Sequence, residues 1–441
     1  MLLFAPRGVS IARRKASHGA LLALFLSAGL FPVQSAFALT FDEALRLAQE
    51  RSRQLPAQNA AATASREMAA AARQRPDPTL KAGINNLPVN GPDRFSLTRD
   101  FMTMRSIGVM QELTRGSKLE ARSARFEREA EMAEASRELA LANLQRDTAV
   151  AWLDRYYQER MLEVLSGQRD EAKLQIEAAD AAYRGGRGSQ ADVFAARSAV
   201  ALIEDRIAQN ERQVATAKTQ LARWIGPPAS EPLSAPPSLS SVSFRAEDLE
   251  GLIAHHPEIA VLAKREEMAQ AEVAVAQADK KPDVSVELMY SQRGSAFSNM
   301  ASINFSIPLQ WDQKNRQDRE VAAKLATLEQ RRAEREEAAR MHIADDLSVW
   351  QEWQSNRVRL ARYEATLVPL AAERTRASIA AYRGASAPLS AVLESRRGEI
   401  DTRLERLRLE METARLWAQL NYLIPAGHDT TDSRGLSRQL P

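Results

Sequence analysis

The chain contains no cysteine in 441 residues. That excludes disulfides, a thiol nucleophile, thiolate metal sites and a lipid anchor on an N-terminal cysteine. Beyond residue 38, no apolar run approaches the ~20 residues that a membrane-spanning helix needs. Charge of one sign is also lacking, with 60 basic against 57 acidic residues. The first 38 residues hold Arg7, Arg13, Arg14 and Lys15 but no acid, so the remainder is near balance. A nucleic-acid partner therefore has no basic surface to draw on. Gly185-Gly186-Arg187-Gly188 lacks a preceding strand and a P-loop lysine, and no Ser/His/Asp arrangement suggests hydrolysis. The expectation is a protein that is not an enzyme and uses no cofactor.

Histidine is scarce, with 5 in all. His255 and His256 are adjacent and directly precede Pro257, at an expected helix start. Neighbouring residues on a helix do not face one site, and no histidine–carboxylate group has metal-ligand spacing. The expectation is a helix-start role for this pair and no metal site.

What is present begins with an address. A basic segment, an apolar core from Ala20 to Phe31 and Ala36-Phe37-Ala38 predict a secretory signal over 1–38, cleaved before Leu39. An exported chain without disulfides must be held by packing or oligomerisation.

The remainder is duplicated. Ala182-Tyr183-Arg184-Gly185 returns as Ala381-Tyr382-Arg383-Gly384, and Pro76-Asp77 returns as Pro282-Asp283. The period is roughly 200 residues, too long for a stacked solenoid repeat. Two repeats are expected, over 39–225 and 244–425, with a Pro- and Ser-rich linker at 226–243 and a tail at 426–441. Each reads as helix, two short strands, very long helix, glycine turn and return helix.

From Lys118 to Tyr183 there is no proline and a single glycine, Gly167. That predicts a helix of about 100 Å at 1.5 Å per residue. The second repeat matches from Gln313 to Tyr382, broken only at Pro369. Helices this long need coiled-coil-like neighbours to bury an apolar stripe. Helices are expected over about 118–225 and 313–423.

Between them, strands are expected over about 79–113 and 284–309. Val284, Val286, Leu288, Ile303, Phe305 and Ile307 alternate with Ser285, Glu287, Ser302, Asn304 and Ser306. Leu80, Ala82 and Ile84, then Ile107, Val109 and Leu113, give a weaker copy. Four such strands cannot close a useful lumen alone. Twelve strands from three chains could form a membrane barrel, apolar outside and polar inside. A small soluble sheet packed on the helices is the other reading of the pattern.

On the duplicated plan, the Pro-Asp steps and the Tyr-x-x-Gly turns, the chain resembles TolC-type outer-membrane factors, the ducts of tripartite efflux systems. The fold implied is mostly α with a small β part: a homotrimer whose 12-stranded outer-membrane barrel continues into a periplasmic α-helical barrel. The resemblance implies contact with outer-membrane lipid, a periplasmic adaptor (membrane fusion protein) and an inner-membrane proton-driven pump. Asn86-Leu87-Pro88, Gly91-Pro92-Asp93 and Asp100-Phe101-Met102-Thr103-Met104-Arg105 are similar to the heavy-metal branch, which serves cobalt–zinc–cadmium or copper–silver pumps. A multidrug duct is the alternative within the family, and a periplasmic adaptor or structural coiled coil is the alternative outside it. The resemblance also implies that the turns at Tyr183, Gly185, Gly188 and Gly384 dock the adaptor. Asp192 and Tyr382 match a latch that holds the inner end shut; Ala387 stands where the family has an arginine, leaving Arg383 or Arg187 as substitutes. Glu394 matches one of two acidic lumen positions, and Ala391 occupies the other.

Overall fold

The computed structural model describes residues 38–242 and 244–425. The expected signal and tail lie outside the described residues, apart from Ala38. The described residues form a mostly helical body with one small antiparallel sheet.

Each repeat follows one plan. In the first, α1 (Phe41–Arg51) and α2 (Gln54–Ala72) lead to β1 (Thr79–Asn85) and β2 (Met104–Leu113). Then come α3 (Gly116–Arg184) and α4 (Gln190–Ile225). The second repeat runs α5 (Leu249–Ala254), α6 (Pro257–Asp279), β3 (Val284–Gln292) and β4 (Met300–Ser306). It finishes with α7 (Gln317–Arg362), α8 (Val368–Arg383) and α9 (Leu389–Asn421).

The expected long helix is observed as the 69 residues of α3. Its buried stripe includes Leu119, Ala130, Leu144, Trp152, Leu165 and Ala179, and α1, α2, α4, α6 and α9 pack against the helix. Small residues such as Ala69 of α2 and Ala269 of α6 are buried where neighbours cross it. Alanine allows that close approach at no cost in helix propensity.

Two boundaries differ from the sequence expectation for physical reasons. The strand expected to reach Leu309 ends at Ser306, because Pro308 has no N–H to give a ladder. The break at Pro369 becomes a π-helical turn, Tyr363–Leu367, just before α8. Proline cannot donate to the carbonyl four residues back, and a π turn re-pairs the freed groups. The helix-start role of His256 holds, since its Nδ1 accepts from the Glu258 N–H at 3.3 Å.

Midway along the helices, Phe41, Trp152, Trp417 and Tyr422 form a chain of edge-on and tilted ring contacts. The linker is pinned here. Arg155, only 1% exposed, donates from both terminal nitrogens to the carbonyls of Ala229 and Glu231, each at 2.6 Å. Its Nε donates to Glu159 at 2.9 Å. The Leu39 N–H donates to the Pro232 carbonyl at 2.8 Å, and Trp417 Nε1 donates to Ser241 O at 2.9 Å. Arg155→Ala orphans two carbonyls and leaves a void, a cost of about 3 kcal/mol. The expected outcome is a clearly lower thermal midpoint by circular dichroism.

Candidate functional site

The sheet runs β1-β2-β3-β4, so the repeats join edge to edge through β2 and β3. Register aligns Leu80, Val109, Leu288 and Ile303 in one row and Ala82, Ile107, Tyr290 and Ala301 in the next. Leu80, Val109, Leu288 and Ile303 are all exposed, with Leu288 at 59%. The opposite face is polar and bonded to itself. Lys81 Nζ meets Glu287 Oε2 at 2.8 Å, the Ser106 and Ser291 hydroxyls are 2.9 Å apart, and Asn85 Nδ2 donates to Ser106 Oγ at 2.9 Å. An apolar face bare over four strands with a satisfied polar face behind it inverts the usual soluble arrangement. Trp311, 88% exposed, stands just past the sheet at its helical end.

The Pro-Asp step has a job at that end. Asp283 accepts from the Arg115 N–H at 3.2 Å and pairs with Lys118 at 2.7 Å, and Lys118 also donates to the Lys281 carbonyl. Lys118 is buried, so the clamp welds the start of α3 to the start of β3. Its counterpart Asp77 is exposed on the free β1 side, and Lys314, placed like Lys118, is exposed beyond β4.

At the far end lie the two turns. In the first, the Gly188 and Arg187 N–H groups both donate to Ala182 O, and Gly186 has φ +70. In the second, the Ser386 N–H donates to Ala381 O and Ala385 takes φ +56. The same turn is thus built with alanine in the left-handed region. Tyr183, Gly185 and Gly384 are exposed on this surface, while Gly188 packs so close that a Cβ would sit 3.2 Å from Ala182 Cβ.

No hydrogen bond or ion pair joins Asp192, Tyr382, Arg383 and Glu394 to one another among the described residues of this single chain. Asp192 completes a capping box: its Oδ2 accepts from the Ser189 N–H at 3.0 Å and hydroxyl at 2.7 Å, while its N–H donates to Ser189 Oγ. Those bonds hold its carboxyl below the ordinary aspartate range. Tyr382 packs on the apolar cluster of Ala179, Val193, Ala196, Leu389 and Val392. Arg383 is exposed. Glu394 is exposed and 3.5 Å from Arg374, an ion pair of small energy at such exposure. Sequence reading missed Arg396, which is buried and donates to Gln168 at 3.1 Å and Glu171 at 2.6 Å, tying α9 to α3 near the turns.

Sequence spacing also hid a histidine–carboxylate group. Ligand atoms of His256, Glu258 and His342 lie within 4.8 Å of one another, His342 arriving from the middle of α7. Burial, then His342, push His256 down to about 4. Burial pushes Asp346, one turn beyond His342, up to about 6.

Residues 44–227 match the outer membrane efflux protein family. That match lies essentially within the first repeat. The match leaves the second repeat uncovered, and likeness in three dimensions to solved structures covers both repeats. A membrane protein from Pseudomonas aeruginosa superposes with TM-score 0.73 at 15% identity, covering 87% of this chain and 93% of that one. The outer membrane protein VceC from Vibrio cholerae gives 0.72 at 18% identity, over 87% and 95%. CusC, whose structures concern folding and transmembrane channel formation, gives 0.72 at 14%, over 87% and 91%. At these identities the likeness establishes the fold. No curated protein matches the sequence. The fold of these solved structures thus spans both repeats, and residues 44–227 carry the match to the family model.

The turn geometry makes a local prediction. Gly186→Ala forces a Cβ into the left-handed region and costs about 1 kcal/mol. Ala385→Gly removes that conflict in the second turn. Thermal melts should show the first variant falling and the second holding or rising.

Proposed function

We propose that the chain is the outer-membrane exit duct of a tripartite efflux system, a homotrimer that passively conducts substrate received from an inner-membrane pump through a periplasmic adaptor. The observation that carries this reading is the four-stranded sheet, apolar and bare on one face, polar on the other, and unpaired at both edges. Bilayer lipid suits the bare face, and a barrel removes the edges. In this reading localisation is the outer membrane with the helices in the periplasm, and the tip turns meet the adaptor.

The duplication specifies how copies meet. Within one chain, β2 of the first repeat pairs with β3 of the second, clamped by Lys118 and Asp283. Between chains, the same relation sets β4 against β1 of the next copy, with Ile303 near Ile84 and Lys314 near Asp77. Because native cysteine is absent, the double variant Ile84→Cys/Ile303→Cys tests this on a clean background. Thiol crosslinking should give covalent trimers on denaturing gels, and exclusively monomers would sink the arrangement.

Facing can be tested separately. Leu288→Lys on the bare face costs about 2–4 kcal/mol at bilayer depth and should abolish assembly in outer-membrane fractions. Ser302→Lys on the polar face should assemble normally and shift ion selectivity towards anions in planar bilayers.

For the gate, Asp192 holds the inner end shut with Tyr382 and Arg383, and Glu394 lines the lumen behind it. Three symmetry-related carboxylates focus a negative potential that favours cations. Asp192 also caps α4, so its variants need a control. Asp192→Ala should raise single-channel conductance, whereas Ser189→Ala, which removes only the cap, should not. Equal conductance in both variants and wild type would remove Asp192 from gating.

Heavy-metal cations are the cargo favoured by the Asn86–Arg105 segment and the acidic position at Glu394. Deleting the gene should lower survival on one or more of zinc, cobalt, cadmium, copper and silver while leaving tolerance of common antibiotics and detergents. The reverse pattern would assign the duct to organic drugs.

A further inference from the structure

The histidine–carboxylate group lies far from both the sheet and the tip turns. Along α3 the neighbouring Ala142–Arg146 stretch is about 40 Å from the strand end, at 1.5 Å per residue. His256 is the N-cap of α6, Glu258 sits in the first turn of α6, and His342 projects from α7. They share a cavity of about 380 Å³ with Arg146, Asp346 and Tyr422.

The atoms in this cavity are poorly provided for by the protein itself. His342 Nε2 is 3.1 Å from Glu258 Oε2, yet it is buried and makes no aligned hydrogen bond. Asp346 Oδ2 is also buried without a hydrogen-bond partner. The two imidazole rings are 4.4 Å apart at a 36° tilt. Arg146, the cation in this cavity, is occupied by Asp147 through two hydrogen bonds. His342 Nε2 and Asp346 Oδ2 without partners, and His256 Nδ1 held only by the long bond from the Glu258 N–H, form an arrangement suited to a positive ion.

We propose that His256, Glu258 and His342 bind a divalent cation of the zinc class, with Asp346 supplying a nearby compensating carboxylate. Two imidazoles and one carboxylate are an established zinc donor set, and the borderline-soft nitrogen donors disfavour magnesium and calcium. Glu258 and Asp346 together balance the ion's charge. His256 must release its helix-cap contact to offer a lone pair, but at 3.3 Å that bond is at the long end of the range. The bound ion ties the first turn of α6, which follows α5 early in the second repeat, to the middle of α7. It is a brace within one chain, independent of what the duct conducts.

The test uses the full mature chain in detergent, purified without a polyhistidine tag and stripped with a chelator. Zinc alone is titrated against a chromophoric competitor, and bound metal is counted by mass spectrometry. Wild type should bind one zinc per chain and melt at a higher temperature with zinc than without. His342→Gln and Glu258→Gln should each weaken binding at least tenfold and lose the melting shift, while His255→Gln should keep both. Equal helicity by circular dichroism separates lost ligands from lost fold. Absence of stoichiometric binding to wild type overturns the site, as does binding that survives His342→Gln and Glu258→Gln at full affinity.

Discussion

A 69-residue helix cannot bury its own apolar stripe, and the rest of the molecule answers that constraint. Covering α3 along its length takes α2 and α6 towards the sheet, α1 and α9 in the middle, and α4 towards the turns. Arg155 and the Phe41–Trp152–Trp417 contacts hold the linker and N-terminal segment against its midpoint. The sheet, by contrast, has no extensive packing against a helix among the described residues. Its position comes from the clamp at Lys118 and Asp283, where α3 begins.

Duplication supplies two of everything, and the copies differ where the chain must do different things. The first return helix starts at a Ser189–Asp192 capping box; the second starts at Pro388, which makes no side-chain cap. The first turn uses Gly186 for its left-handed residue, and the second strains Ala385 into the same conformation. One Pro-Asp step is satisfied inside the chain, and the other is presented at a free edge. A shared backbone plan thus carries unequal chemistry at both ends.

Much of this was legible in the chain. Absence of proline, with Gly167 the one glycine between Lys118 and Tyr183, marked the span of α3, and period-two alternation marked the faces of β3 and β4. Pairing order was not legible, because alternation says which way a side chain points and not which strand lies beside it. The π turn before Pro369 was read only as a break, since the sequence does not reveal how freed carbonyls re-pair. Asp192 was singled out by resemblance, but its S-x-x-D spacing with Ser189 already carried the cap signal. His256 was read only as a helix start, and its meeting with Glu258 and His342 was missed because no local spacing connects α6 to α7.

The sequence alone determined the repeat, the long helices, the turn positions and the two-faced strands, because each follows from local backbone preference and short-range periodicity. Tertiary structure decided the strand order, the burial of Arg155 and Lys118, and the meeting of two histidines and a glutamate. Those depend on which distant segments cover α3, and that is settled by packing the whole chain at once.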